Sequence, residues 1–296
     1  MRRAYLYLHL SIFLWGFTGI FGKAITLNEG LLVWYRMGLT SLIWLAIGLF
    51  GGTVQRLNPK ATGQLAGIGL VLMMHWLFFY ASIKYSNISI AMSCLALIAV
   101  FSSVLEPLIL RRPLEWIQVV MALIGLTGML FIFRFTEFAR TGIALGMLSS
   151  LLGSLFTIFN KQMVANYNSE TITTYELTSG FLFLTLLMPV YLKLNGTEWV
   201  VPSVSDSVLL VLFVVVCTVI PFNLSMKALR HVSAFMSNLS LNMEPVYGIV
   251  LAFIIYREHR QLDAGFYGGM GLILLSVVLY SVIQWRAARK AGIVAP

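Results

Sequence analysis

The sequence predicts an all-α polytopic membrane protein with ten transmembrane helices, arranged as two inverted-topology repeats of five helices each. Three observations favour this class: long apolar stretches recur along the whole chain, charged residues are scarce, and residue patterns repeat at a distance of about half the chain. Of the 296 residues, 59% are hydrophobic and 10% are charged, and the mean hydropathy is +0.89. A soluble globular domain has about 25% charged residues, so this composition excludes that class.

Ten apolar segments are long enough to cross a bilayer, for which about 20 residues suffice. No segment shows the alternation of a barrel strand, so the spans are predicted to be helices. The first span follows Met1-Arg2-Arg3 and has no small-residue cleavage site, which indicates a retained helix and not a signal peptide. The predicted spans are residues 4–25, 31–51, 64–83, 88–110, 115–133, 142–164, 172–193, 207–228, 232–256 and 265–287.

Turn-forming and charged residues separate these spans in order along the chain. The separating segments are Asn28–Gly30, Gln55–Gly63, Lys84–Asn87, Arg111–Pro113, Arg134–Thr141, Asn166–Glu170, Asn195–Asp206, Arg230–His231 and Arg257–Asp263. The net charge of +9 lies mostly in these connections and in the tails, so it is interpreted as a topology signal and not as a nucleic-acid surface. Basic residues are more numerous on one side, which predicts an inner-membrane protein with both termini cytoplasmic, although Arg257 and Arg260 fall on the outer side.

Internal repetition divides the chain into residues 1–138 and residues 139–296. Because each half contains five spans, an odd number, the two copies must cross the membrane in opposite directions. Inverted repeats of this kind place a substrate site near the bilayer midplane, where the halves meet. The paired landmarks are Phe21-Gly22-Lys23 with Phe159-Asn160-Lys161, Tyr35-Arg36 with Tyr175-Glu176, residues 83–89 with 226–233, and Gly125 with Gly269.

The ninth predicted span carries Glu244 near its midpoint. A charged side chain at that depth costs roughly 2.5–3.5 kcal/mol or more, so the carboxyl must face protein, water or a ligand. Asn238 and Asn242 precede it, and Pro245 leaves one helical carbonyl without its donor. This combination is typical of a helix that lines a cavity. The alternative is that Glu244 pairs with a basic residue and holds helices together.

The third predicted span contains His75, Trp76 and Tyr80. Trp76 and Tyr80 are four residues apart on one helix face, where their rings could sandwich a ligand. Histidine titrates near neutral pH, so a proton-coupled mechanism would use His75 or Glu244 as its proton-binding group. The alternative is that His75 donates to a backbone carbonyl and that the aromatic rings only pack.

Several other polar or aromatic residues in the spans are candidates for the cavity lining. Arg36 could hold a substrate carboxylate through its planar guanidinium, or form an interhelical ion pair. Lys23 and Lys161, at the ends of their spans, are expected to extend to the membrane interface. Small residues also serve helix packing, which is the alternative for each of the weaker candidates. The remaining candidates are Trp15 and Gly16 in the first span, Ser154 and Asn160 in the sixth, and Asn223 in the eighth.

Four features together resemble the EamA-type ten-span permeases of the drug/metabolite transporter superfamily: WGFTGIFGK at 15–23, Tyr35-Arg36, the two short hairpins, and MEPVYGIVLAFIIYREH at 243–259. The resemblance covers nearly the whole chain. It implies secondary export or exchange of a small metabolite, often an amino acid, through a central cavity lined chiefly by spans 1, 3, 4, 6, 8 and 9. It also matches Pro245 and Glu258 to the family's proline and terminal acidic residue. The first half departs from the pattern with RRPLE at 111–115, which leaves the role of Glu258 open.

We therefore expect an amino-acid carrier that works by alternating access, with multidrug efflux of cationic aromatic compounds as the alternative. Motifs of metalloproteases, serine hydrolases, phosphate-binding loops and metal-type Cys/His pairs do not occur in the sequence, so we expect no enzyme activity, no cofactor and no metal. The expected partners are a small-molecule substrate and the lipid bilayer, with the proton as a candidate coupling ion and no nucleic acid. We expect a monomer or a homodimer.

Overall fold

The computed structural model describes residues 2–111, 113, 115–135, 139–164, 166–229 and 243–290. Within these residues the regular structure is helical throughout, which confirms the predicted all-α membrane fold. Eight helical segments of the described chain are long and apolar enough to cross a membrane. Two shorter apolar segments, Val204–Val219 and Glu244–Tyr256, lie where the eighth and ninth spans were predicted.

The helices begin and end within a few residues of the predicted spans, and a π-helical turn, Val215–Val219, joins α10 to α11. They are α1 (Arg2–Gly16), α2 (Thr18–Ala24), α3 (Glu29–Gly51), α4 (Pro59–Tyr85), α5 (Ile88–Leu95), α6 (Leu97–Leu110), α7 (Trp116–Phe135), α8 (Arg140–Met163), α9 (Ser169–Asn195), α10 (Val204–Val214), α11 (Ile220–Leu229), α12 (Glu244–Tyr256) and α13 (Ala264–Lys290).

Asparagine side chains from the predicted turns start four of these helices. Asn28, Asn58, Asn87 and Asn168 each accept a hydrogen bond from the backbone N–H three residues further on, at 2.8–2.9 Å. Such a cap satisfies one of the backbone donors that have no partner inside the helix. The cap at Asn58, followed by Pro59 in the first turn, explains why α4 begins five residues before the predicted start.

Three predicted spans are each built from two helical segments. The first span breaks at Phe17, the fourth at Ala96, and the eighth contains the π-helical turn. In the ninth, the described helix begins at Glu244 with Pro245 in its first turn, where a missing N–H leaves no helical bond unmade. The preceding part of that span, with Asn238 and Asn242, lies outside the described residues. Irregular backbone at membrane depth occurs only where it is buried in protein or lines a cavity.

Close helix contacts depend on glycine at two crossings. A Cβ on Gly69 of α4 would collide with the backbone oxygen of Glu176 in α9, and one on Gly180 of α9 would lie 2.7 Å from the Gly69 carbonyl oxygen. At the second crossing, Gly128 of α7 meets Gly269 of α13 in the same way. Small residues at such crossings let the backbones of membrane helices approach closely. The first crossing holds α9 directly against α4.

Candidate substrate site

The interior of the bundle holds a buried arginine surrounded by aromatic rings. Arg36 of α3 is 3% exposed, and its guanidinium carbon lies 3.8 Å from the ring centroid of Trp76, 4.3 Å from Phe213 and 5.7 Å from Tyr80. The guanidinium donates hydrogen bonds to the Tyr80 hydroxyl and, at 3.2 Å, to Thr218 Oγ1. Cation–π contacts of this kind contribute about 2 kcal/mol or more when desolvated. We call these five residues the arginine cluster.

Three predicted spans supply the arginine cluster, and a fourth packs against it. Trp76 and Tyr80 are one turn apart on α4, as the sequence predicts, and the group between their rings is the Arg36 guanidinium. Phe213 lies in the last turn of α10 and stacks on Phe21 of α2, with ring centroids 5.3 Å apart. The π-helical turn that follows carries Thr218. Such turns are frequent at functional sites, because the extra residue changes which side chains face inward.

The charge of Arg36 is only partly matched by its surroundings. Its Nε is buried without a hydrogen-bond partner, and among the described residues it forms no ion pair. Glu244, the first residue of α12, interacts with it electrostatically from beyond ion-pair distance. The ion pair that was one alternative for Arg36 is therefore absent within the described part of the chain. A buried charge without a directly bonded counter-charge is energetically costly and marks a functional position in a membrane protein.

His75 faces a different helix from its neighbour Trp76. Its Nδ1 lies 2.8 Å from the carbonyl oxygen of Ser149 in α8 and 3.0 Å from the hydroxyl oxygen of the same residue. The Ser149 hydroxyl donates in turn to the His75 carbonyl oxygen. The ring also packs against Gly153, which leaves room for it. His75 thus makes the backbone contact that was the alternative to a role in the cavity.

Trp15 and Asn160, two of the remaining sequence candidates, contact residues outside the arginine cluster. Trp15 packs in another apolar cluster, with Ile12, Ala228 and Tyr247. Asn160 of α8 approaches the carboxyl of Glu176. Asn223 lies in α11. Among the candidates whose side chains the structure describes, it brings together Arg36, Trp76, Tyr80 and Glu244.

Comparison with known proteins assigns the family. The model of the EamA-like transporter family matches residues 2–134 and again residues 140–282. The chain belongs to the EamA-like transporter family. It is thus a multi-pass membrane protein of a family that transports small molecules across membranes.

Two individual proteins are similar to this transporter. An uncharacterized transporter of Archaeoglobus fulgidus is 22% identical over 199 residues, which cover 66% of this chain and 71% of that protein. A solved structure described only as the crystal structure of a protein matches with a TM-score of 0.63 and 17% identity, over 95% of this chain and 97% of that chain. At that identity the second likeness concerns the fold alone.

Glu258 of the transporter, whose role the sequence left open, is a fully buried clamp between three segments. Its Oε1 accepts hydrogen bonds from Lys23 Nζ, at 2.8 Å, and from the backbone N–H of Ile88, at 3.1 Å. Its Oε2 accepts from the backbone N–H and the hydroxyl of Ser89, at 2.8 and 2.7 Å. Arg257 ends α12 in the left-handed conformation, at φ 54°, and this turn lets Glu258 point back into the bundle. We call this contact set the Glu258 clamp.

The two lysines expected at the membrane interface both form ion pairs. Lys23 joins the Glu258 clamp and also lies 4.6 Å from the ring centroid of Tyr256. Lys161 pairs with Glu106 at the end of α6, where both side chains are partly exposed. The sequence does not indicate which carboxylate either lysine contacts, because their partners lie 235 and 55 positions away along the chain.

Neither Phe213 nor Thr218 is among the site residues that the sequence predicts. Thr218 is the one hydroxyl residue in the apolar run VVVCTVI, and a lone polar residue within a membrane span indicates a candidate functional position. Nothing in the run indicates its partner, because Arg36 is 182 positions away along the chain.

In this conformation the arginine cluster is closed, since Tyr80 and Phe213 have no exposed surface. Two recesses, of about 240 and 310 Å³, open elsewhere, and none of their lining residues belongs to the arginine cluster.

Proposed function

We propose that this transporter exports or exchanges an amino acid by alternating access, and that the substrate carboxylate binds to Arg36. The observation that supports it is the buried guanidinium whose Nε has no hydrogen-bond partner and which has no ion pair among the described residues. A guanidinium presents donors in a planar fork that fits a carboxylate. Glu244, which interacts with Arg36 electrostatically, is assigned to the substrate ammonium group.

The aromatic neighbours favour an amino acid with an apolar or aromatic side chain. Trp76 and Phe213 lie against the guanidinium, so they would line the pocket next to a bound carboxylate. Because these contacts close the cluster, the substrate enters only when helices move apart. The broken backbones of the first, fourth and eighth spans are suited to such movement.

The position of the cluster between the two halves also favours alternating access. Arg36, Trp76 and Tyr80 belong to residues 1–138, whereas Phe213 and Thr218 belong to residues 139–296. If the halves are inverted repeats, rocking one against the other would expose this interface to each side in turn. We place the carrier in the inner membrane with both termini cytoplasmic.

Efflux of cationic aromatic drugs is the less favoured alternative. A cationic drug that approached Glu244 would also approach the buried guanidinium of Arg36. Like charges repel strongly in a medium of low dielectric constant. A zwitterionic substrate avoids this repulsion because its carboxylate meets the cation.

The test is counterflow of a labelled amino-acid panel and a cationic dye into proteoliposomes. Wild type is compared with Arg36→Lys, Arg36→Gln and Glu244→Gln, and the matched control is Arg56→Gln in the exposed connection before α4. We expect saturable uptake of one class of amino acids that both Arg36 variants and Glu244→Gln reduce strongly and the control does not. Transport of the dye alone would contradict the proposed substrate class. Unchanged amino-acid uptake in the Arg36 variants would contradict the proposed site.

A further inference from the structure

A second buried ionisable group, Glu176 of α9, lies apart from the arginine cluster. It is 3% exposed, and its Oε1 is buried without a hydrogen-bond partner. It is seven residues from the start of α9, roughly 10 Å along the axis at 1.5 Å per residue. Burying an unpaired carboxylate costs far more than burying the neutral acid, so a carboxyl in such a place takes up a proton.

The charged and titratable groups of the surrounding helices leave Glu176 without a cationic partner. Among the described residues Glu176 forms no ion pair. The hydrogen bonds Trp34–Thr185 and Ser41–Thr178 set the register of α3 and α9, and in this register Arg36 lies about two turns along the axis from Glu176. Arg36 belongs to the arginine cluster, and His75 is bonded to Ser149. The charged residues and histidines of these four helices, besides Glu176 itself, are Glu29 and Arg36 of α3, Lys60, His75 and Lys84 of α4, Arg140 and Lys161 of α8, and Glu170 and Lys193 of α9.

One neutral donor lies near the carboxyl, and a second lies at the same depth in the bundle. Asn160 of α8 approaches it directly. Trp44 of α3 lies at the same depth as Glu176, because the 2.8 Å hydrogen bond between the Ser41 and Thr178 hydroxyls sets the register of α3 and α9. The indole Nε1 of Trp44 is buried without an acceptor. Amide and indole N–H groups donate to an ionised carboxylate. The surroundings therefore suit the neutral acid in this conformation, and Asn160 offers a donor to the ionised form.

We propose that Glu176 is the proton-binding site of this transporter, and that proton entry through it is coupled to substrate export. The coupling rests on the proposed function, whereas the proton site itself does not. Gly69 and Gly180 hold α9 directly against α4, and the space beside Gly180 is filled by Met37, the neighbour of Arg36. A shift of α9 on proton release would therefore reach the helices that carry Arg36, Trp76 and Tyr80. Glu176 and Arg36 also occupy equivalent positions in the two sequence repeats.

The first experiment compares gradient-driven accumulation with exchange in proteoliposomes. The proteins compared are wild type, Glu176→Gln and the matched control Glu170→Gln, from the first turn of the same helix. The probe is the labelled amino acid that wild type exchanges in the counterflow panel. Each protein is assayed for counterflow of this amino acid without a pH gradient and for its accumulation with one. We expect Glu176→Gln to keep counterflow and lose the response to the gradient, and the control to keep both. Gradient-driven accumulation that persists in Glu176→Gln, or that is absent in wild type, would overturn the coupling.

The second experiment needs no substrate. Infrared spectra of the purified, lipid-reconstituted chain are recorded at neutral pH for the same three proteins and for Glu176→Asp, which guards against a poorly folded Gln variant. We expect a carbonyl band of a protonated carboxylic acid that Glu176→Gln lacks and that wild type, the control and the Asp variant retain. Absence of a difference between wild type and Glu176→Gln overturns the proton site. If the band is present but no amino acid is carried, the proposed function fails and the proton site stands.

Discussion

The Glu258 clamp and the arginine cluster are both buried and charged, yet they differ in how completely their polar atoms are bonded. Each carboxylate oxygen of Glu258 accepts two hydrogen bonds, and one of these four bonds comes from a cation, Lys23. Arg36 keeps a buried Nε without a partner and has no described ion pair. A saturated buried charge holds segments together, whereas an unsaturated one is a position at which a further group can bind. We therefore expect substitution to lower the free energy of unfolding strongly at the Glu258 clamp and little or not at all at the arginine cluster.

The largest effect is expected from Glu258→Gln. The amide nitrogen would face donors in place of an acceptor, and Lys23 would lose its counter-charge, so the free energy of unfolding should fall by about 3–5 kcal/mol. Thermal unfolding in detergent, followed by a thiol-reactive dye on the buried Cys94 and Cys217, measures this. Glu198→Gln, at an exposed position, is the control. Equal melting temperatures for the two variants would show that the clamp is not structural.

Gly69→Ala should have the next largest effect. The added methyl group collides with the Glu176 backbone and the Ser179 hydroxyl, so we expect a loss of about 1–3 kcal/mol. Gly67→Ala on the same helix meets nothing within 4 Å and should leave the unfolding temperature unchanged or slightly raised. The same unfolding assay compares them. Similar results for the two alanines would mean that α4 and α9 are not in close contact.

A smaller effect is expected from Lys161→Met. Its ion pair with Glu106 has both side chains partly exposed, at 52% and 30%, and such pairs contribute about 0–1 kcal/mol. Lys23→Met should cost more, because it leaves the fully buried Glu258 without its cation. The contrast between the two lysines in unfolding experiments isolates the effect of burial. A larger loss for Lys161→Met would reverse this interpretation.

The smallest change in stability is expected from Arg36→Met. Removing an incompletely bonded buried charge relieves its desolvation cost. This should offset the lost hydrogen bonds to Tyr80 and Thr218 and the lost cation–π contacts, so the free energy of unfolding should stay within about 1 kcal/mol or rise. Under the proposed function, amino-acid counterflow is lost in the same variant. Destabilisation as large as that of Glu258→Gln would instead make the arginine cluster a second structural clamp.

The sequence by itself determined where the membrane helices lie. Twenty-residue apolar stretches have few alternatives in a bilayer, and residues such as Asn58 and Asn168 mark helix starts because their side chains cap the backbone locally. It also placed Trp76 and Tyr80 on one face, since that follows from four-residue spacing alone.

Only the tertiary structure decided which polar groups meet. Arg36 contacts Thr218 and Lys23 contacts Glu258 across 182 and 235 positions, and His75 turns to Ser149 while its neighbour Trp76 turns to Arg36. Local spacing carries no information on these partners, because they depend on how the helices pack. Whether a buried charge is saturated or left partly unbonded is therefore a property of the packed bundle and not of any one segment.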